Sequence, residues 1–167
     1  ADGKLMTGAT PSAMVALLEG MGVTALGANC SLGPAELRGV MDELLACASV
    51  PVLFKPNAGL PQAVDGRTVY NVTPADFAAE VADAVRRGVE RGKIVVMTTQ
   101  VPNEGSDLTV YHVGGRLKST LRLLEAYDMT TESAVAKLMW ILGQTRDRRE
   151  IERMFYMPVA HDILWRA

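Results

Sequence analysis

Apolar positions recur along the chain at helical spacing and then in short unbroken runs, three times over. Met14, Leu17, Leu18 and Met21 share one helical face behind Thr10-Pro11, a capping hydroxyl followed by proline at the first helical position. Val23 to Asn29 is then short and apolar, with Gly27 inside it, and predicts a buried strand. Pro34 opens a second helix with the stripe Leu37, Val40, Met41, Leu44 and Leu45. Val50 to Phe54 predicts a second strand, apolar throughout as strands covered on both faces are. Asn57 to Asn71 reads as a Gly/Pro-rich loop with a short extended piece at Thr68 to Tyr70. Thr73-Pro74 starts a third helix, buried through Phe77, Val81, Val85 and Val89, and Lys93 to Thr99 is a third strand.

This alternation predicts an α/β fold: a parallel sheet with right-handed crossovers and helices on both faces. After Gln100 the rhythm changes. Val101 to Asp107 is a loop, and Val110 to Leu124 reads as a helix despite Gly114-Gly115. Thr130 caps a helix with Ala134, Val135, Leu138, Met139 and Leu142 on one face, and Gly143 is placed to stop it. A short charged helix over Asp147 to Phe155 precedes a tail containing Pro158.

At 167 residues the chain is about one domain's worth, and 49% apolar content is enough for a core. A net charge of −2 gives no electrostatic reason to expect nucleic acid or an anionic membrane as partner. The basic run Arg146 to Arg149 is followed by Glu150 and Glu152 and reads as a solvated helix face. Two cysteines make no disulfide framework and no secretory signal opens the sequence, so a cytoplasmic setting is expected. No apolar run approaches the roughly 18 residues a membrane span needs.

Ligands of parallel sheets and barrels bind at the C-terminal ends of strands. Those ends carry Asn29 with Cys30, Lys55 with Asn57, and Thr98, Thr99 and Gln100. If the three strands are neighbours, these groups share one edge. Cys30 there is either a thiolate ligand or nucleophile, or simply a small apolar residue. Gly114 to Thr120 hints at a phosphate loop, but Lys118 follows Leu117 rather than Gly and no strand precedes it, so it reads as a surface helix. His112 and His161 lack ligand spacing to each other or to a cysteine.

The motifs GANCSLGP (Gly27 to Pro34), KPNAGLP (Lys55 to Pro61) and DGRTVYNVTPADFA (Asp65 to Ala78) carry a resemblance. With them, residues 1 to about 88 resemble the homocysteine methyltransferase domain of cobalamin-dependent methionine synthases. That resemblance implies the later strands of a (β/α)8 barrel, with Cys30 as one of three zinc ligands. It also implies Asn29 and Asn57 beside the substrate. The family's other two ligands sit in a Gly-Gly-Cys-Cys-Gly motif, where this chain has Val96-Met97-Thr98-Thr99-Gln100, and Cys47 falls inside a helix. Zinc is therefore implied only as an incomplete site, with no strongly bound cofactor.

From about Asp83, and clearly from RGKIVVMTTQVPNEG (Arg91 to Gly105), the chain resembles the C-terminal domain of L-asparaginases and of the related archaeal amidotransferase subunit. VYHVGG (Val110 to Gly115) and DMTTESAVAKLMWILGQT (Asp128 to Thr145) carry the likeness. In that family two threonines, an aspartate, a lysine and a tyrosine perform the hydrolysis, all on an N-terminal domain. The C-terminal domain supplies scaffold, subunit contacts and some active-site edges. Where the family commonly has Asn after Thr-x-Gln, this chain has Asp107.

Together the two likenesses predict a half (β/α)8 barrel over residues 1–88. It continues into a flavodoxin-like part over residues 89–167, as one continuous α/β domain. The functional expectation is a chimeric scaffold without an intact active site, self-associating to cover apolar surface, with a small-molecule ligand at the residual edge. The alternatives are a residual homocysteine- and zinc-binding methyltransferase, or an asparaginase or amidotransferase fragment that needs an N-terminal domain in trans.

Overall fold

The computed structural model describes residues 3–5, 7–30, 32–101, 103–110 and 112–164, without the side chains of His112 and Val113. Ser31 of the Asn-Cys motif, Pro102 and Tyr111 lie outside the described residues. The chain divides into two units, Ala1–Ala84 and Val85–Ala167.

In the first unit the helix starts follow local chemistry. The Thr10 hydroxyl accepts from the Ala13 N–H at 3.2 Å and caps α1 (Pro11–Gly20). Strand β1 (Leu26–Asn29) begins later than its apolar run, three residues after Val23. The second helix, α2 (Arg38–Cys47), also starts late: residues 34–37 form a turn in which Glu36 accepts from the Gly33 N–H at 2.6 Å. Cys47 closes α2 and is exposed, rather than lying inside the helix. Strand β2 (Val52–Lys55) pairs parallel with β1, Leu26 opposite Val52 and Asn29 opposite Lys55. Val15, Leu26, Met41 and Leu44 form the core beneath.

The stretch read as a loop contains a hairpin. Strands β3 (Gln62–Val64) and β4 (Arg67–Val69) pair antiparallel around Asp65-Gly66, at φ +50° and +74°. Positive φ at both central residues is what a two-residue hairpin turn with native twist requires, and Asp-Gly is its usual sequence. Next, Thr73 accepts from the Asp76 N–H at 3.2 Å ahead of α3 (Pro74–Glu90), where Glu80 and Asp83 meet Arg38 at 2.8 and 3.5 Å.

In the second unit the expected strand over Lys93 to Thr99 narrows to β5 (Val96–Met97). The expected helix over Val110 to Leu124 is three things instead. A 3-10 turn over Leu108–Val110 leads into α4 (His112–Leu121); Arg122 then reverses the chain at φ +53°, and β6 (Leu124–Glu125) follows. Gly114 explains the tight start: a Cβ there would lie 2.4 Å from the Leu108 carbonyl oxygen. Strands β5 and β6 pair parallel, with the Leu124 and Ala126 N–H groups donating to Val95 and Met97 at 2.9 and 2.8 Å. Helices α5 (Thr131–Leu142) and α6 (Arg148–Phe155) are capped by Thr130 and Asp147, whose side chains accept from Ser133 and Glu150. Gly143 ends α5 in the right-handed region at φ −70°, so its freedom to turn left-handed is unused. Leu124, Met129, Ile141, Ile151 and Phe155 lead the core.

The fold is mixed α/β, but the single continuous sheet is not formed. Among the described residues there are three two-stranded sheets, β1-β2, β3-β4 and β5-β6, and no (β/α)8 barrel. The β6 residues, absorbed into a helix by periodicity, instead give β5 a local ladder partner. No described helix is long and apolar enough to cross a membrane.

Candidate functional site

Two of the three predicted strand-end sets do come together in the first unit. Cys30 follows β1 at φ +62° and its N–H donates to the Lys55 carbonyl at 3.0 Å. Its thiol donates to the Asn29 side-chain oxygen at 3.2 Å, and the Asn57 N–H donates to Leu32 at 3.1 Å. Asn29, Cys30 and Lys55 are exposed and Asn57 is half-buried. The third set stands apart in the sheet order, since β5 pairs with β6 and not with β1 or β2. Thr98 shares a hydroxyl contact with Thr131 at 3.4 Å, and Thr99 accepts from the Val101 N–H. No group of three His, Cys, Asp or Glu that could hold a metal occurs among the described residues. Cys30 thus has no companion donors there, and the residues do not fit a three-ligand zinc centre.

The second unit holds a cluster that sequence reasoning missed. The Glu125 carboxylate is fully buried on β6 and accepts from the Lys118 ammonium and the Leu108 N–H, both at 2.7 Å. Lys118 also donates to the Tyr127 hydroxyl at 2.7 Å and lies 4.7 Å from that ring's centre. Partial burial disfavours the Lys118 charge, but its hydrogen bonds to Glu125 and Tyr127, with the Glu125 charge, outweigh that and hold its pKa above the ordinary lysine value. The Tyr156 hydroxyl accepts from the Glu125 N–H at 3.0 Å. Burial pushes the Tyr156 pKa upward, against the opposing effect of that N–H. Lysine and glutamate here neutralise each other, so the cluster ties α4, β6 and the 3-10 turn together and presents no free nucleophile. A glutamate between Leu123-Leu124 and Ala126 was the one legible sign of it.

A second buried ion pair sits nearby in the same unit. Lys137 meets Asp162 at 2.8 Å and donates to the Met157 carbonyl at 2.7 Å. Burial works against the Asp162 charge, yet Lys137 and the Val159 N–H hold its pKa below the usual carboxylate range. Asp107, in the loop before α4, accepts from the Thr109 N–H and hydroxyl at 2.8 and 2.5 Å, which lowers its pKa too.

A cleft of about 840 Å³ opens beside the Lys118 cluster, with Arg122, Arg148 and Arg149 in its lining and Tyr127 and Tyr156 against it. The run read as a solvated helix face is therefore partly a cleft wall. Lys118, read as part of a surface helix, turns inward.

Comparison with known proteins places a family match across this unit. The model described as the glutaminase/asparaginase C-terminal domain matches residues 68–155, beginning ahead of the boundary expected near Asp83. The chain is 47% identical over 73 residues to an L-asparaginase of Thermococcus kodakarensis, covering 44% of this chain and 22% of that protein. It is 40% identical over 108 residues to a glutamyl-tRNA(Gln) amidotransferase component of Thermofilum pendens, covering 65% and 24%. That alignment is longer than residues 83–167 can hold. The solved structure of the thermostable L-asparaginase from Thermococcus kodakarensis matches with a TM-score of 0.54 at 30% identity, covering 86% of this chain and 38% of that one. The chain spans about a quarter of the length of these curated relatives.

Proposed function

The chain belongs to the glutaminase/asparaginase C-terminal domain family, and we propose that it works as the C-terminal partner of an amide-hydrolysing protein whose reacting residues lie on a separate N-terminal domain. The observation that carries this reading is the family match over residues 68–155, which spans the β5-β6 ladder, the Lys118–Glu125 cluster and both capped helices α5 and α6. It favours the asparaginase or amidotransferase reading over a scaffold of mixed methyltransferase and asparaginase descent.

The chemistry in this reading is hydrolysis of a carboxamide, asparagine or glutamine, to the acid and ammonia. This chain's share is positional. The buried Lys118–Glu125 pair fixes the 3-10 turn through the Leu108 N–H, and Asp107 is held against Thr109 just before it. The chain at Asp107–Leu108 is thereby held in place, as an edge presented to a partner domain must be. Mixing the full chain with a separately produced asparaginase N-terminal domain tests this. The expected result is co-elution on size exclusion and ammonia release from asparagine above that of either component. Co-elution without turnover would remove the catalytic reading, and no association at all would remove the proposal.

A finer origin for the first unit rests on its motifs and on the shared edge of Asn29, Cys30 and Asn57. In this proposal that unit descends from a homocysteine methyltransferase and keeps only a small-molecule edge. A lone Cys30 is a poor zinc site, so elemental analysis of the wild type and of Cys30→Ser is expected to find no bound zinc in either. One zinc per chain in the wild type, lost in the variant, would show that a metal site survives.

A further inference from the structure

The cleft in the second unit carries positive charge that no carboxylate among the described residues neutralises. Arg122, Arg148 and Arg149 all line it, and among the described residues none of the three is paired with a carboxylate. Arg148 donates a guanidinium N–H to the Arg122 carbonyl. Lys118, at the inner end, is neutralised by Glu125. Glu152 is the one acidic side chain in the lining, so positive charge is in excess there although the chain as a whole is net negative.

The placement of these cations costs the protein stability. Arg148 and Arg149 are the first two residues of α6, where the helix macrodipole disfavours positive charge. Asp147 at the cap and Glu150 in the first turn offset this, but Glu150 is itself engaged by Arg153 at 2.6 Å. An anion lodged between the guanidinium groups turns the same arrangement from unfavourable to favourable. Planar guanidinium forks match phosphate oxygens two at a time. The rest of the lining includes, beside Lys118 and Glu152, the Tyr127 and Tyr156 rings, whose centres stand 6.0 Å apart, with Leu123 and Ile163.

We propose that this cleft binds a phosphomonoester carried on an aromatic or apolar body, the phosphate held by Arg122, Arg148 and Arg149 and the body resting on Tyr127 and Tyr156. The cleft shares Lys118 and Tyr127 with the cluster given a positional role in hydrolysis, but the three arginines have no part in that role.

Calorimetric titration of the full chain with phenyl phosphate, near pH 8 where a phosphomonoester with a second pKa of about 6 is dianionic, tests the assignment. The wild type should bind saturably, and tighter than it binds inorganic phosphate. Arg149→Gln, which removes one charge from an exposed position, should weaken binding by roughly tenfold. Arg149→Glu should abolish it while raising the melting temperature of the ligand-free protein, because an acidic residue suits the start of α6. The rise in melting temperature separates loss of the site from loss of the fold. Absence of saturable binding, or unchanged affinity in Arg149→Gln, would overturn the proposal. Equal affinity for inorganic phosphate would overturn the role given to the tyrosines.

Discussion

Lys118→Met should destabilise the second unit by about 3–5 kcal/mol, the cost of stripping one partner from a buried ion pair. The side chain keeps nearly the same length, so packing along α4 is preserved and the loss is electrostatic. It leaves the Glu125 carboxylate, 0% exposed, with the Leu108 N–H as its remaining donor. The Tyr127 hydroxyl loses its ammonium neighbour as well. Urea unfolding followed through Tyr127 and Tyr156 would read the change as a lower midpoint at constant slope. The double variant Lys118→Met with Glu125→Leu should regain most of the loss, since an apolar pair of similar volume is often as stable as the ion pair it replaces. A single-variant cost below about 1 kcal/mol, the range of exposed pairs, would show that water reaches the pair. The pH dependence has a definite sign. The Lys118 pKa is raised in the folded state, so its contribution is fully present below the unfolded value of about 10.4 and is lost as pH rises through the folded one.

Gly27→Ala should disrupt the first unit. A Cβ at Gly27 would lie 1.9 Å from the Leu53 carbonyl oxygen, and 2.7 and 2.9 Å from its carbon and nitrogen. All three are backbone atoms of the paired strand, so no side chain can swing aside. The strands must separate or slip. Either movement pulls Leu26 and Val52 out of register above Val15, Met41 and Leu44. Overpacking costs about 1–3 kcal/mol where side chains can adjust, and a backbone clash belongs at or above the top of that range. Hydrogen exchange should show lost protection at the Leu26 to Cys30 amides, while the Leu124 and Ala126 amides, in the other unit, serve as internal reference. Gly39→Ala is the matched control. Its Cβ meets nothing within 4 Å inside α2, and it should stabilise by about 0.5–1 kcal/mol. Unchanged protection in Gly27→Ala would mean that the strands do not approach so closely in solution.

Much of the candidate chemistry was readable at strand ends. Asn29, Cys30, Lys55 and Asn57 were expected beyond two apolar runs, and the parallel β1-β2 pair brings them to one edge. The metal role implied for Cys30 depended on donors that a different part of the chain would have had to supply, and spacing says nothing about that. The basic cleft was hidden because Arg148 and Arg149 sit in a run whose acidic neighbours made it look like an ordinary solvated face.

What the sequence determined by itself was the local chemistry of helix starts at Thr10, Thr73 and Thr130, and of the short helix from Asp147. The strands read as buried are only partly so: β1 buries Leu26 alone, and Leu53 in β2 is exposed. The helix starts depend on groups within three or four residues of each other, and the caps form where the hydroxyls and carboxylate stand. The Asp65-Gly66 hairpin was local too, and its turn was written in the chain, although the loop-like composition around it masked the strands. Tertiary structure alone decided that β5 would pair with β6. It also decided that Glu125 would be buried and Lys118 would follow it inward. A two-residue strand has no period to detect, and a charge carries no mark of its burial until the chain around it has closed.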